Sequence, residues 1–206
     1  MSTEDNKVIK LPVVEEFYSI QGEGFHTGKP AYFIRIGGCD NTCAWCDTKF
    51  SWDNQSHWLV NVDKVVEKAI GFVAKSVVVT GGEPLSNNLD YLCNKLKENN
   101  IETFLETSGS HPLSGKWDWI CFSPKKHATP EEEIYQLADE LKIVIQTIED
   151  FEWAEMNAAL VNKNCKLFLQ PEWSMFDTII KEVVEYVKAN PKWSISLQAH
   201  KFMQIP

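Results

Sequence analysis

Short apolar runs alternate with amphipathic stretches along most of this chain. We predict strands at the runs rich in β-branched and aromatic residues, which lie at 31–38, 76–80, 101–106, 117–123, 141–147, 165–171 and 194–200. Apolar residues at helical spacing predict helices between them, at 62–74, 89–96, 131–138, 150–162 and 176–187. Strands that alternate with helices form parallel βα units. Roughly six or seven such strands are fewer than the eight of a closed barrel, so we expect an α/β fold with an open or partial barrel.

Polar or glycine-rich residues follow most of these predicted strands. The sequences at the strand ends are VVVT-GGEP, FLE-TSG, ICFS-PK, FLQ-P and LQA-H. Parallel α/β folds place their sites at the carboxyl ends of the strands, so these clusters should converge on one mouth. Loops are polar in general, which would explain any one cluster. The general polarity of loops does not explain as well why all of these clusters occur together with a cysteine loop after the first strand.

Length, charge and cysteine usage narrow the class of protein. With 206 residues and 44% hydrophobic content, we expect one domain over residues 1–206. The net charge of −9 argues against a nucleic-acid or membrane surface, and no apolar run approaches the roughly 20 residues of a membrane span. The polar start MSTEDNKVIK is unlike a signal peptide. We therefore expect a cytoplasmic protein, whose six cysteines are ligands or core residues and form no disulfide framework.

The stretch CDNTCAWC places Cys39, Cys43 and Cys46 on one short loop without a fourth cysteine nearby. A structural zinc site is closed and tetrahedral, and His26 or His57 could supply its fourth ligand. An iron–sulfur cube normally takes four cysteines. With three, one iron keeps an open position for an outside ligand. The cysteines by themselves leave zinc and the iron–sulfur cube as alternatives.

The surroundings of the cysteine loop resemble the radical S-adenosylmethionine superfamily. Trp45 precedes the third cysteine, and the segment Gly81–Pro84 (GGEP) follows the strand VVVT. The resemblance implies a [4Fe-4S] cluster whose open iron binds S-adenosylmethionine, in a shortened (β/α)6 partial barrel. A glycyl-radical activating enzyme, or a non-catalytic zinc-binding module, remains an alternative at this point.

Residues 17–52 closely resemble one family of that superfamily, 7-carboxy-7-deazaguanine synthase. The shared features are IQGEG at 20–24, Arg35 four residues before the first cysteine, and Cys46-Asp47-Thr48. The resemblance extends from Phe17 to Pro206. It implies conversion of 6-carboxytetrahydropterin to 7-carboxy-7-deazaguanine with loss of ammonia, assisted by Mg²⁺. It also implies a homodimer and an electron donor such as flavodoxin.

The resemblance assigns roles residue by residue. Cys39, Cys43 and Cys46 would bind the cluster, and Thr48 would bind Mg²⁺. The positions that would contact S-adenosylmethionine are Trp45, Asp47, Gly82, Glu83, Ser108, Ser123, Pro124, Lys125 and Gln170. The positions that would contact the substrate are Ile20, Gln21, Gly22, Glu23, Arg35, Thr80, His200 and Pro206.

Several of these residues have plainer interpretations. Arg35 lies in an apolar strand and needs an anionic partner, which is either the substrate carboxylate or a protein carboxylate. Thr48 could simply form a turn, Gln21 and Glu23 could lie in a solvated loop, and the tail HKFMQIP could fray. The other cysteines, Cys93, Cys121 and Cys165, are expected to be small core residues.

Overall fold

The computed structural model describes residues 8–53 and 58–206, which fold around one sheet of nine strands. The strands are β1 (Lys10–Ile20), β2 (Pro30–Ile36), β3 (Leu59–Asn61), β4 (Ser76–Gly81), β5 (Glu102–Thr107), β6 (Trp119–Phe122), β7 (Glu140–Ile145), β8 (Lys166–Pro171) and β9 (Trp193–Ile195). Their order in the sheet is β3-β1-β2-β4-β5-β6-β7-β8-β9. β1 pairs with β2 and β3 in antiparallel fashion, and every pair from β2 to β9 is parallel.

Helices lie between most of the strands, and the last helix follows β9. They are α1 (Val62–Ile70), α2 (Asp90–Glu98), α3 (Ile134–Leu137), α4 (Asp150–Ala158), α5 (Phe176–Ala189) and α6 (Ala199–Met203). In α1, the Asn61 side chain accepts a hydrogen bond from the backbone N–H of Asp63 and caps the helix start. None of the helices formed by the described residues is both long and apolar enough to cross a membrane.

The two faces of the sheet carry different kinds of side chain. The face toward the helices is mostly apolar, with Ile34, Val79, Leu105 and Ile143 all at 0% exposure, and it makes the main core. Burying side chains of this kind contributes about 1.5–3 kcal/mol each. The concave face is apolar only at its floor, where aromatic and small side chains form a second cluster of Ala31, Phe33, Val78, Phe104, Phe17 and Trp119. Above that floor the concave face becomes polar.

The predicted α/β partial barrel is confirmed. Seven strands, β2 and β4 to β9, form its parallel part, and within the described ranges the end strands β3 and β9 do not pair with each other. The sheet is therefore open. The two antiparallel strands β1 and β3 were not predicted, because β1 reads as a mixed polar segment, KLPVVEEFYSI, with a register shift between Val13 and Glu15.

The predicted strand at 194–200 is wrong beyond Ile195. β9 ends there, the Ser196 N–H still donates to Leu169 O at 2.9 Å, and the Ala199 N–H donates to Gly22 O at 2.8 Å. The polar residues that alternate in SISLQAH hydrogen-bond to other segments, as Ser196 does to Gln170 and Gln198 does to Glu23. The chain then forms α6. Three predicted helices were too long: α1 ends before the Gly71 cap, α4 ends at Ala158, and the helix predicted at 131–138 covers only Ile134–Leu137.

Candidate active site

A cavity of about 740 Å³ opens at the carboxyl ends of the parallel strands, within the ~300–1,000 Å³ that is usual for ligand sites. The clusters predicted to converge do converge there. Of the residues assigned roles from the sequence, all but Pro124 line this cavity: Ile20, Gln21, Gly22, Glu23, Arg35, Cys39, Cys43, Trp45, Cys46, Asp47, Thr48, Thr80, Gly82, Glu83, Ser108, Ser123, Lys125, Gln170, His200 and Pro206. Pro124 is buried between Ser123 and Lys125.

The cysteine loop is held directly against the GGEP segment. The Cys39 N–H donates to Trp52 O at 3.0 Å, and the Glu83 N–H donates to Gly38 O at 2.7 Å. A Cβ at Gly82 would lie 2.3 Å from Gly38 O and 2.8 Å from the Cys39 Cβ. Position 82 therefore requires glycine because of this close approach. Burial raises the pKa of the Cys39 thiol and of the Cys43 thiol, so a bound cation is needed to keep both as thiolates.

Glu83 is buried, with 1% of its surface exposed, and its carboxylate accepts hydrogen bonds from four protein donors. Oε1 accepts from the Leu85 N–H at 3.1 Å and from Thr107 Oγ1 at 2.6 Å. Oε2 accepts from the Ser108 N–H at 2.8 Å and from the Ser108 hydroxyl. Glu83 thus fixes the end of β4 to the end of β5 while it borders the cavity.

The predicted cofactor residues form a polar wall beside the cysteines. Asn41 Nδ2 donates to Ser108 Oγ at 2.8 Å, and Lys125 Nζ donates to Ser123 Oγ at 2.8 Å. The same ammonium lies 5.2 Å from the centre of the Trp45 ring. Burial lowers the pKa of Lys125. On the far side, Gln170 Oε1 accepts from Ser196 Oγ at 2.7 Å.

The IQGEG segment contributes to a second hydrogen-bonded group that lines the same cavity. Lys142 Nζ donates to Glu23 Oε2 at 2.7 Å and to Glu106 Oε2 at 2.8 Å. Gln21 Nε2 donates to Glu106 Oε1 at 3.2 Å, and Gln198 Nε2 donates to Glu23 Oε1 at 2.9 Å. Burial raises the pKa of Glu23, but the Lys142 charge and these hydrogen bonds outweigh burial and lower that pKa to about 2. Gln21 and Glu23 are therefore packed against the barrel and do not lie in a solvated loop.

Arg35 has a protein partner. Its Nε lies 2.6 Å from Glu15 Oε1, and its guanidinium lies 5.9 Å from the centre of the Phe50 ring. The salt-bridge alternative is therefore present in the structure. The Arg35 side chain also lines the cavity, where it provides positive charge next to Thr80, its partner in the parallel register of β2 and β4.

The C-terminal segment folds over the cavity. Lys201 Nζ donates to Asp47 Oδ2 at 2.7 Å, and Ser19 Oγ donates to Pro206 O at 3.0 Å. His200 packs against Gly22, and a Cβ on residue 22 would lie only 2.2 Å from Nδ1 of His200. Burial lowers the pKa of His200, although the Glu23 charge opposes this. The tail is therefore docked against the cavity and not frayed.

Thr48 lies beside the cysteine loop. Its Oγ1 is 3.5 Å from Cys46 Sγ, and its carbonyl oxygen accepts from the Ser51 N–H at 2.8 Å. The residue therefore shapes a turn and also presents a hydroxyl to the cavity.

Of the two histidines considered as zinc ligands, His26 stacks on Phe104 with ring centres 4.5 Å apart, in the apolar floor, and His57 lies outside the described residues. Cys93 and Cys121 are buried at 0% and 2% exposure, and Cys165 packs against the core while partly exposed, which confirms the core prediction.

Sequence reasoning missed two central residues of the site, Glu106 and Lys142. Each is a charged residue inside an apolar run, FLE in β5 and LKIVI in β7. The same signal singled out Arg35. Applied to every strand, it would have identified both, since a buried charge requires a partner.

Comparisons with known proteins agree with this site. The family model of the Radical SAM superfamily matches residues 33–121. A 7-carboxy-7-deazaguanine synthase of Flavobacterium psychrophilum is 53% identical and covers 95% of this chain and 93% of its own. One from Synechocystis is 43% identical over 96% of this chain and 94% of its own. The crystal structure of QueE from Escherichia coli superposes with a TM-score of 0.84 at 30% identity, covering 97% of this chain and 100% of that chain.

The open parallel barrel with three cysteines at its mouth defines a radical S-adenosylmethionine enzyme. This class carries a [4Fe-4S] cluster and S-adenosylmethionine, and the three thiols on one cavity-lining loop fit such a cluster. Within the class, the chain belongs to the 7-carboxy-7-deazaguanine synthase family. The glycyl-radical activating and zinc-module alternatives find no support.

Proposed function

We propose that this enzyme converts 6-carboxy-5,6,7,8-tetrahydropterin to 7-carboxy-7-deazaguanine with release of ammonia, in 7-deazapurine (queuosine) biosynthesis. The observation that carries the proposal is that two groups of residues line one cavity. One group is the three cysteines with the GGEP segment, and the other is the Gln21–Glu23 segment with Arg35. The family relationship supplies the reaction.

The two groups of residues have different tasks in this proposal. Cys39, Cys43 and Cys46 would hold the cluster, which together with S-adenosylmethionine would supply the radical chemistry. Gln21 and Glu23 bind the N–H edge of the pterin, because an ionised carboxylate accepts from adjacent donors. Arg35 and the docked tail face the substrate carboxylate and exclude water.

Anaerobic reaction of the reconstituted enzyme tests the assignment. Incubation with S-adenosylmethionine, a reductant and 6-carboxytetrahydropterin should release ammonia and yield a 7-carboxy-7-deazaguanine product, followed by mass spectrometry. Release of deoxyadenosine without that product would retain the superfamily and overturn the substrate.

We also propose that Mg²⁺ assists, bound through the Thr48 hydroxyl, since Mg²⁺ prefers oxygen ligands. Support comes from the position of Thr48 Oγ1 in the cavity lining, beside Cys46. Thr48→Ala should lose the stimulation of activity by Mg²⁺, and Thr48→Ser should keep it. Equal stimulation in Thr48→Ala and wild type would refute this role.

Three further expectations stay predictions. They are one domain over residues 1–206, a homodimer, and an electron donor such as flavodoxin in the cytoplasm. Light scattering of the purified protein tests the dimer, and reduction of the cluster by flavodoxin, followed by absorbance, tests the donor.

A further inference from the structure

Lys142 occupies an unusual position for a lysine. Its side chain is 5% exposed, and its ammonium lies between two carboxylates, 2.7 Å from Glu23 Oε2 and 2.8 Å from Glu106 Oε2. Glu23 belongs to the segment after β1, Glu106 to β5 and Lys142 to β7. One buried cation therefore joins three separate parts of the barrel at the cavity wall.

The charges of this group do not cancel. Two carboxylates face one ammonium, which leaves a net charge of −1 at the wall. The second oxygens accept from uncharged amides, Glu23 Oε1 from Gln198 and Glu106 Oε1 from Gln21. A carboxylate oxygen can accept about two hydrogen bonds. Glu23 and Glu106 thus have room to accept N–H donors from a ligand, and the excess negative charge favours such donors.

The ionised state of Glu23 depends on Lys142. Burial raises the pKa of Glu23, and the Lys142 charge is the largest influence that lowers it, to about 2. Burial lowers the pKa of Lys142, but the acidic side chains around it, Cys121, Glu106, Glu23 and Glu140, raise it well above its ordinary value. Lys142 is therefore a fixed cation and not a proton donor at neutral pH.

We propose that Lys142 is a positioning residue that makes this wall selective for a ligand edge with adjacent N–H donors, because it holds Glu23 as an ionised acceptor and fixes the Glu106 carboxylate beside it. The inference rests on the proposed function and deepens it. The 2-amino-4-oxo edge of a pterin offers the 2-amino group and N3–H side by side. A 2-oxo analogue, a lumazine, presents a carbonyl in place of the amine, and this carbonyl would face the carboxylates and be repelled.

Equilibrium binding of two unreactive probes tests the inference. The anaerobically reconstituted enzyme with S-adenosylmethionine is titrated with 6-carboxypterin or 6-carboxylumazine, followed by ligand fluorescence. Wild type should bind the pterin at least about tenfold more tightly, equivalent to about 1.4 kcal/mol. Lys142→Met should lose most of this ratio. Lys166→Met, on the exposed edge of the neighbouring strand β8, should keep it.

The pH dependence separates positioning from a merely structural role. Without the Lys142 cation, burial should raise the pKa of Glu23, so pterin binding by Lys142→Met should strengthen as the pH rises from 5 to 8. His200 also faces Glu23 and titrates in both proteins, so the difference between wild type and variant reports on Lys142. Lys142→Arg keeps the cation and should keep both the selectivity and the wild-type profile.

The outcomes separate the inference from the proposed function. If wild type binds neither probe and makes no deazaguanine, the proposed function fails. If wild type binds the pterin selectively and Lys142→Met keeps that ratio and profile, the role of Lys142 is overturned. Iron content and the urea midpoint check that Lys142→Met folds. If it does not fold, loss of selectivity in a folded Lys142→Arg overturns the inference.

Discussion

At the scale of single residues, Glu83 accepts all of its hydrogen bonds described above from donors within the protein. Four hydrogen bonds from Leu85, Thr107 and Ser108 converge on its carboxylate. Each carboxylate oxygen accepts two of them, so an amide at this position cannot satisfy all four donors.

Glu83→Gln should therefore destabilise the cluster-free protein. Its NH₂ group would face donors instead of accepting from them, at a cost of about 1–3 kcal/mol for the buried donors left unpaired. Urea unfolding measures the loss. Glu102→Gln, at the exposed start of β5, is the matched control and should be near neutral. Equal losses in the two variants would show that the Glu83 network contributes nothing.

The backbone of Gly82 lies so close to Gly38 and Cys39 that a side chain does not fit there. In Gly82→Ala the new methyl would overlap Gly38 O and the Cys39 Cβ, so the cysteine loop should shift. We expect a reduced iron and sulfide content after reconstitution. The control is Gly71→Ala, whose Cβ would meet Lys68 O at 3.2 Å in ordinary helical backbone. Wild-type iron content in Gly82→Ala would contradict the need for glycine.

At the scale of elements, the turn from β7 to α4 depends on one buried acid. The Asp150 carboxylate accepts from the Gln146 N–H at 2.7 Å and the Thr147 N–H at 2.9 Å, and it pairs with Lys126. Burial acts to raise the pKa of Asp150, but Lys126 and the two amides outweigh it and lower the pKa below its ordinary 3.8.

The sign of the pH effect follows from that shift. A lowered pKa gives stability that is present above pH 3.8 and lost as the pH falls through the lowered value. Asp150→Asn should cost about 1–3 kcal/mol at pH 7, and the gap to wild type should narrow at pH 3. Urea unfolding at both values checks this, with the exposed Asp177→Asn in α5 as control. A gap that does not change with pH would refute it.

The elements also show how far sequence alone could reach. The parallel strands were predictable because both of their faces are covered, so apolar runs mark them directly. β1 was not predictable, because its own pattern of polar and apolar residues is mixed. Its pairing with β2 and β3 is fixed by tertiary contacts. In the site, family motifs identified Gln21 and Glu23. The network that holds them depends on Glu106 and Lys142, which are distant in sequence and carry no motif.

At the scale of the whole molecule, burial predicts an order of local opening. Residues 77–79 in β4 and Leu105 in β5 are essentially inaccessible, whereas no residue of α6 is buried. Hydrogen exchange should therefore be slowest in β4 and β5 and fast in α6. Bound 6-carboxypterin should slow exchange in α6 and leave β4 unchanged. Exchange at α6 as slow as at β4 in the free protein would contradict this order.

The docked tail has a consequence for turnover. The gap between the two ends of the sheet is spanned by the Ala199 N–H to Gly22 O bond, the Lys201–Asp47 pair and the contact of Ser19 with Pro206. Such bonds contribute only about 0.5–1.5 kcal/mol each, and none belongs to the parallel ladder. A product could thus leave by displacement of residues 199–206 alone. Its departure rate would then be set by the last residues of the chain, while the barrel that performs the chemistry stays rigid.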